Sequence, residues 1–216
     1  MHTNRLSHVG IIPDGNRRWA NSTGLDLEYA YDKGYEVLKN AIRWFIDYDV
    51  KYVTVYAMSR DNCTRRSDYE KRILFKLIDR ALWDFRSDYT LKKYDISIRV
   101  VGDLSLIPDK LRASIKSLVE ETKDRSDYII TTGLCYSFYW EFENYLAKGL
   151  KAPSQNLPPI DLVIRTGGMR RVSSFFPLLI EYAELYFTDT LWPNFTRREL
   201  EEAITWFYNQ RRNFGV

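Results

Sequence analysis

Apolar residues in this chain fall into short continuous runs and longer stretches with helical spacing, and the two kinds alternate. Runs rich in Val, Ile and Tyr occupy His8 to Pro13, Lys51 to Met58, Ile96 to Val101, Tyr128 to Leu134 and Ile160 to Arg165, with a shorter one at Glu184 to Phe187. Their length and lack of polar alternation predict buried strands. Between them, Tyr31 to Asp47 places Val37, Ala41, Trp44 and Phe45 on one helical face, and Asp68 to Phe85 does the same with Ile73, Leu77, Ala81 and Leu82. PDKLRASIKSLVEETKD opens with Pro108, which a first helical turn tolerates, and Thr196 followed by Glu199 is a capping box at the head of the last helix. Alternating strands and helices predict an α/β fold: one domain over residues 1–216, with a mostly parallel central sheet of about six strands flanked by helices. In such folds ligands bind beyond the carboxyl ends of the strands.

Composition removes several function classes. A chain of 216 residues, 45% hydrophobic and 15% aromatic, has enough apolar side chains for a large core. The formal net charge is only +3, and the basic residues sit in discrete loops, so nucleic acid is not an expected partner. Neither a signal peptide nor a run of about 18 apolar residues is found. Cys63 and Cys135 lie far apart with no CxxC spacing, which suggests neither a zinc site nor a disulfide framework and places the chain in a reducing cytoplasm. His2 and His8 are the only histidines, so a Ser-His-Asp triad or a histidine metal site would have to be built from a mobile N-terminus. KAPSQNLPP, residues 151–159, reads as an exposed connection.

The predicted strands end in DGNRRW, SRDNCTRR and TGGMRRVSS, all carrying arginine. In the first of these loops Gly15 lets backbone N–H groups approach an anion, while Arg17 and Arg18 sit where a helix N-terminus adds partial positive charge. Asp14 suits a magnesium ion bridging to phosphate oxygens; the alternative is an Asp-Gly turn with Arg18 in a surface ion pair. In the third loop Arg165, Arg170 and Arg171, with Gly167, Gly168, Ser173 and Ser174, supply donors suited to a second phosphate group; the alternative is a solvated basic turn.

HVGIIPDGNRRWA, VTVYAMSRDNCTRR and DLVIRTGGMRRVSSFFPLLIEYAELYFTDTLWPNF resemble the cis-prenyltransferases, the undecaprenyl diphosphate synthase family, over His8 to Phe214. The resemblance implies a parallel sheet over an apolar tunnel, a homodimer, and magnesium-dependent condensation of isoprenoid diphosphates, with a membrane-surface contact open to a lipid product. Asp14 resembles the essential aspartate that holds magnesium and helps the allylic diphosphate leave, and Gly15, Asn16, Arg17 and Arg18 the residues that cradle that diphosphate. Asn62 and Arg65 match loop residues that support catalysis; Arg165, Arg171 and Ser173 match the site for the second diphosphate; Glu184 resembles an acidic residue that helps place the metal. Trp19, Tyr31 and Phe138 are aromatic candidates to flank an allylic cation, with ordinary packing as the alternative. Leu74, Phe75, Ile78, Leu82 and Phe85 are the bulky residues on the helix expected to line the tunnel.

Departures from the family pattern carry their own implications. Leu27 and Tyr31 stand where an arginine and a histidine are usual, Arg17 replaces a glycine, Cys63 a tryptophan, Met169 a glutamate and Arg170 a histidine. Cys135 to Tyr139 loses an arginine of the matching family segment, and the C-terminal Arg-x-Gly motif appears as Asn213-Phe214-Gly215, with Arg212 one residue early. PDG-x-RRW, Tyr31 and the run from Ser173 to Leu178 resemble the branch typified by cyclolavandulyl diphosphate synthase. That likeness implies head-to-middle coupling of two allylic diphosphates, such as dimethylallyl or geranyl diphosphate. The alternatives are regular short-chain cis elongation with isopentenyl diphosphate and a noncatalytic partner subunit.

Overall fold

The computed structural model describes residues 5–87 and 93–212. Its strands are β1 (His8–Ile12), β2 (Tyr52–Ser59), β3 (Ile96–Val101), β4 (Tyr128–Tyr136), β5 (Leu162–Arg165) and β6 (Glu184–Phe187). Every pairing is parallel, in the order β3-β4-β2-β1-β5-β6. The helices are α1 (Asn16–Thr23), α2 (Leu27–Asp47), α3 (Arg60–Arg65), α4 (Asp68–Ser87), α5 (Asp109–Thr122), α6 (Phe138–Asn144) and α7 (Arg197–Tyr208).

Side chains alternate across each strand, and both sets are apolar, so both faces of the sheet are covered. Val9, Ile11, Val53, Val55, Leu162 and Ile164 pack with Ala41 and Phe45 of α2 and Leu200, Ala203, Ile204 and Phe207 of α7. Ile12, Tyr56 and Val163 meet Phe175, Phe176 and Leu179 from the long segment between β5 and β6. A third cluster joins Ile73, Leu74 and Leu82 of α4 to Leu111, Ile115 and Leu118 of α5 and to Ile96, Ile98, Ile130 and Leu134 of the sheet. Of the residues expected to line a tunnel, Leu74 and Leu82 are buried there, and Phe75, Ile78 and Phe85 pack against them partly buried.

Four expectations are corrected. Pro108 is the N-cap of α5 and Asp109 its first helical residue, because an extended Pro108 leaves its carbonyl free to accept from Arg112 N–H. The 151–159 segment is not simply exposed: Ala152 and Ser154 are buried. The Ser154 N–H donates to the buried Glu141 carboxylate at 2.8 Å, which also accepts from Tyr136 Oη at 2.8 Å. His8 is locked in β1 with Nδ1 on Pro158 O at 2.9 Å and Nε2 on Thr54 Oγ1 at 2.7 Å, so it belongs to the sheet. Cys63 and Cys135 form a disulfide. They are 72 residues apart in sequence, but β2 and β4 are neighbours, so the helix that leaves β2 lies over the end of β4.

Candidate active site

The first and third arginine loops meet at the carboxyl ends of β1 and β5, which pair Ile12 with Arg165. Gly15, at φ 117°, turns the chain from β1 into α1, a conformation that glycine reaches without a Cβ penalty. Thr166 Oγ1 and Trp192 N–H both donate to the Asp14 carbonyl, at 2.8 and 3.1 Å, which pins the turn from two sides. The half-buried Asp14 side chain accepts from Arg18 Nη2 at 3.1 Å on one oxygen and from Arg165 Nη2 at 2.9 Å on the other. The ion pair with Arg18 is therefore real, and it sits inside the loop junction.

Arg165 does not present itself to solvent. Its side chain is 5% exposed, and Nη1 donates to Ser173 Oγ at 3.0 Å and to the Arg171 carbonyl. It is a strut that binds the third loop to Asp14, leaving Arg170, Arg171 and Ser173 exposed in that loop. Ser173, Ser174 and Phe176 all have positive φ, at 50°, 64° and 38°. Backbone held in such a conformation marks a segment over-determined by its surroundings. Here these are the buried rings of Phe175 and Phe176 and the bond from Phe138 N–H to Ser174 Oγ at 3.0 Å. Gly167, at φ 81°, lets the two loops touch: a Cβ there would stand 2.5 Å from Arg18 Nη2 and 2.9 Å from the Asp14 carbonyl. Arg18 Nη1 donates to the Gly167 carbonyl at 2.6 Å.

The second loop joins through a buried polar group that sequence reading missed. Glu70 is 6% exposed. It accepts from the Tyr31 hydroxyl and lies 2.9 Å from Arg66 Nη1 and 3.9 Å from Arg17 Nε. The Tyr31 oxygen accepts from Arg66 at 2.7 Å. Burial pushes the Tyr31 hydroxyl well above the ordinary tyrosine range, with Arg66 opposing, so it stays a donor. One signal was readable: Glu70 is three residues before Ile73, a carboxylate on the apolar face of its helix.

Other predicted residues have local partners. Asn62 spends its side-chain oxygen on Ser59 N–H in the capping box of α3, and Arg65 is 80% exposed beside Asp61. Trp19 is packed among Ala20, Ala30, Leu27 and Leu191, donates to Asn194 and carries Lys33 Nζ 4.6 Å above its ring. Glu184 begins β6, opposite Leu162, whereas Arg165 pairs with Phe187 at the other end. Three strand residues, about 10 Å, separate Glu184 from the Asp14 end. Glu184 instead lies near Arg212, which reaches Asp161 at 3.2 Å and stacks over Phe207. Arg212 is thus engaged within its own chain; Asn213, Phe214 and Gly215 lie outside the described residues.

A magnesium ion fits Asp14 and not the expected pair. Among the described residues no group of three His, Cys, Asp or Glu side chains gathers to hold a metal. Magnesium needs only one or two carboxylates when substrate phosphates supply further oxygens, and each Asp14 oxygen keeps a second lone pair. Among the carboxylates beyond the strand ends, Asp189 follows β6, and its Oδ1 lies 3.0 Å from where a Cβ of Gly168 would stand.

Residues 12–215 match the sequence model of the undecaprenyl diphosphate synthase family of prenyltransferases. The chain is 43% identical to a tritrans,polycis-undecaprenyl-diphosphate synthase (geranylgeranyl-diphosphate specific) of Aeropyrum pernix, over 96% of this chain and 97% of the relative. The structure described as a probable undecaprenyl diphosphate synthase from Campylobacter jejuni superimposes with a TM-score of 0.78 at 27% identity, covering 98% of this chain and 99% of that one. Lavandulyl diphosphate synthase from Lavandula x intermedia, in complex with dimethylallyl diphosphate, superimposes with a TM-score of 0.87 at 24% identity, covering 99% of each chain, and shares the fold.

Proposed function

Because the chain belongs to the undecaprenyl diphosphate synthase family and is a prenyltransferase of the cis type, we propose that it elongates an allylic diphosphate of the geranylgeranyl class with isopentenyl diphosphate into a polycis prenyl diphosphate. The observation that carries this reading is the 43% identity to the Aeropyrum pernix enzyme over nearly the full length of both chains. The same match removes compact length as an argument for a short product.

Ionising the allylic C–O bond separates a carbocation from a diphosphate, so the leaving group needs fixed donors and the cation needs apolar walls. In this reading the first α1 N–H groups, Asn16, Arg17 and Arg18 hold the leaving diphosphate, while the exposed Arg171 and Ser173 hold the second one. A bound magnesium ion at Asp14 would neutralise charge developing on the leaving oxygens. Arg165 fixes the Asp14 carboxylate and the third loop together, so the two diphosphates are held at a constant separation. The hydrocarbon tail is assigned to the apolar cluster between α4, α5 and the sheet. A homodimer belongs to this reading, supported by Leu178, Tyr182 and Leu185, exposed in and just before the edge strand β6.

Head-to-middle coupling is the second reading. It is supported by Leu27 in place of a cation and by Tyr31, whose hydroxyl is committed to Glu70 and Arg66. Purified protein with magnesium, geranylgeranyl diphosphate and isopentenyl diphosphate is expected to give products that lengthen in five-carbon steps by mass spectrometry. Product from dimethylallyl diphosphate alone, without isopentenyl diphosphate, would reverse the order of the two readings.

A further inference from the structure

The helix α3 carries Asn62 and Arg65 and leads into Arg66, whose bonds to Tyr31 and Glu70 hold only that end of it. It is six residues long, and its one buried residue is Cys63; Asp61, Thr64 and Arg65 are exposed. A helix of this length has no independent stability. Its fastening is the disulfide from Cys63 to Cys135, with 5.6 Å between the Cα atoms. A parallel tie joins Arg60 Nε to Asp103 at 3.2 Å, and Asp103 N–H donates to the Cys135 carbonyl at 3.2 Å.

Cys135 is shaped for that bond. The register runs from Met58 opposite Leu134 to Ser59 opposite Tyr136, so Cys135 is an extra residue bulged out of β4, and its φ is 51°. A bulge re-aims a side chain at a small local cost. Both cysteines are buried, at 4% and 0% exposure, in the apolar cluster that also holds Tyr31, Met58, Leu74 and Leu134.

We propose that the Cys63–Cys135 disulfide is the positioning element that holds α3 against the end of β4 beside the apolar cluster, and that its reduction releases α3 and slows turnover. The exchange is a two-electron step: a dithiol reductant delivers two electrons and two protons, the S–S bond becomes two thiols, and the reductant leaves as its own disulfide. The effect on turnover rests on assigning α3 to the active site; the release of α3 does not.

The test therefore uses two readouts. Reduction with dithiothreitol, its completeness followed by alkylation and mass, is expected to raise amide hydrogen exchange in residues 59–66 about tenfold or more while β1 and β5 stay protected. The kcat is expected to fall about tenfold or more with little change in KM, and reoxidation to restore it. A Cys63→Ser, Cys135→Ser double variant should match the reduced protein and ignore the reductant. Unchanged exchange at 59–66 in both the reduced protein and the double variant would overturn the proposal, as would two free thiols in protein purified without reductant. Because exchange needs no substrate, failure of the assigned reaction leaves this result readable.

Discussion

The Asp14 carboxylate holds Arg18 and Arg165 together, and Arg165 has almost no contact with water. A solvent-facing aspartate at a strand end would be expected to serve chemistry alone, with its loss leaving the fold untouched. The structure corrects that expectation, because removing the charge leaves a buried guanidinium one partner short. Asp14→Asn is expected to lower turnover by more than about 100-fold. It should also lower the unfolding free energy by about 1–3 kcal/mol, read from urea denaturation. Unchanged stability would show that Arg165 finds another acceptor. Asp14, Gly15 and the arginines were legible as a group because their chemistry is local to one loop. The contacts of Glu70 with Tyr31 and Arg17 were not, because a carboxylate on one helix reveals a partner on another only when the two are packed together.

Elements meet at this site through close approach. Gly34, in the middle of α2, accepts Trp192 Nε1–H on its carbonyl at 2.8 Å, and a Cβ there would stand 2.3 Å from Asn16 Oδ1. A side chain at position 34 would force the Asn16 side chain out of place and crowd the Trp192 ring, whose nearest atom would stand 3.0 Å away. Gly34→Ala is expected to destabilise by about 1–3 kcal/mol through overpacking and to raise KM for the allylic diphosphate, with helix content unchanged by circular dichroism. A variant of unaltered stability and KM would mean that α1 is not held in this way. The caps of α7 were legible, since Thr196 and Glu199 bond each other's backbone as their spacing predicts. The bulge at Cys135 was not, because bulges depend on the register of two strands 70 or more residues apart.

At the scale of the whole molecule, β1 occupies an inner position in the sheet, and His8 ties it to Thr54 of β2 and to Pro158. Burial lowers the pKa of His8 to about 4 from an ordinary 6.5. Above pH 6.5 His8 is neutral in both states and costs nothing. As pH falls from 6.5 towards 4 the unfolded chain takes up a proton that the folded chain refuses, so stability declines by up to about 3 kcal/mol and levels off below pH 4. His8→Gln is expected to flatten that part of the profile relative to wild type in denaturation measured between pH 7 and 4. Parallel profiles would show that His8 titrates normally. No helix among the described residues is long and apolar enough to cross a membrane.

Apolar periodicity by itself determined the six strands, the main helices and the loops that carry the site, because burial and backbone geometry impose periods of two and 3.6 that can be read locally. Loop chemistry marked Asp14 and its arginines for the same reason. Tertiary structure alone decided what depends on separation in space. It brought Arg165 to Asp14, where it ties the first and third loops together. It placed Glu184 about a strand's length from the metal candidate it was expected to join. It closed Cys63 onto Cys135 across 72 residues of chain. Pairing of distant strands creates these contacts, and no spacing along the chain encodes which loop ends will lie within bonding distance.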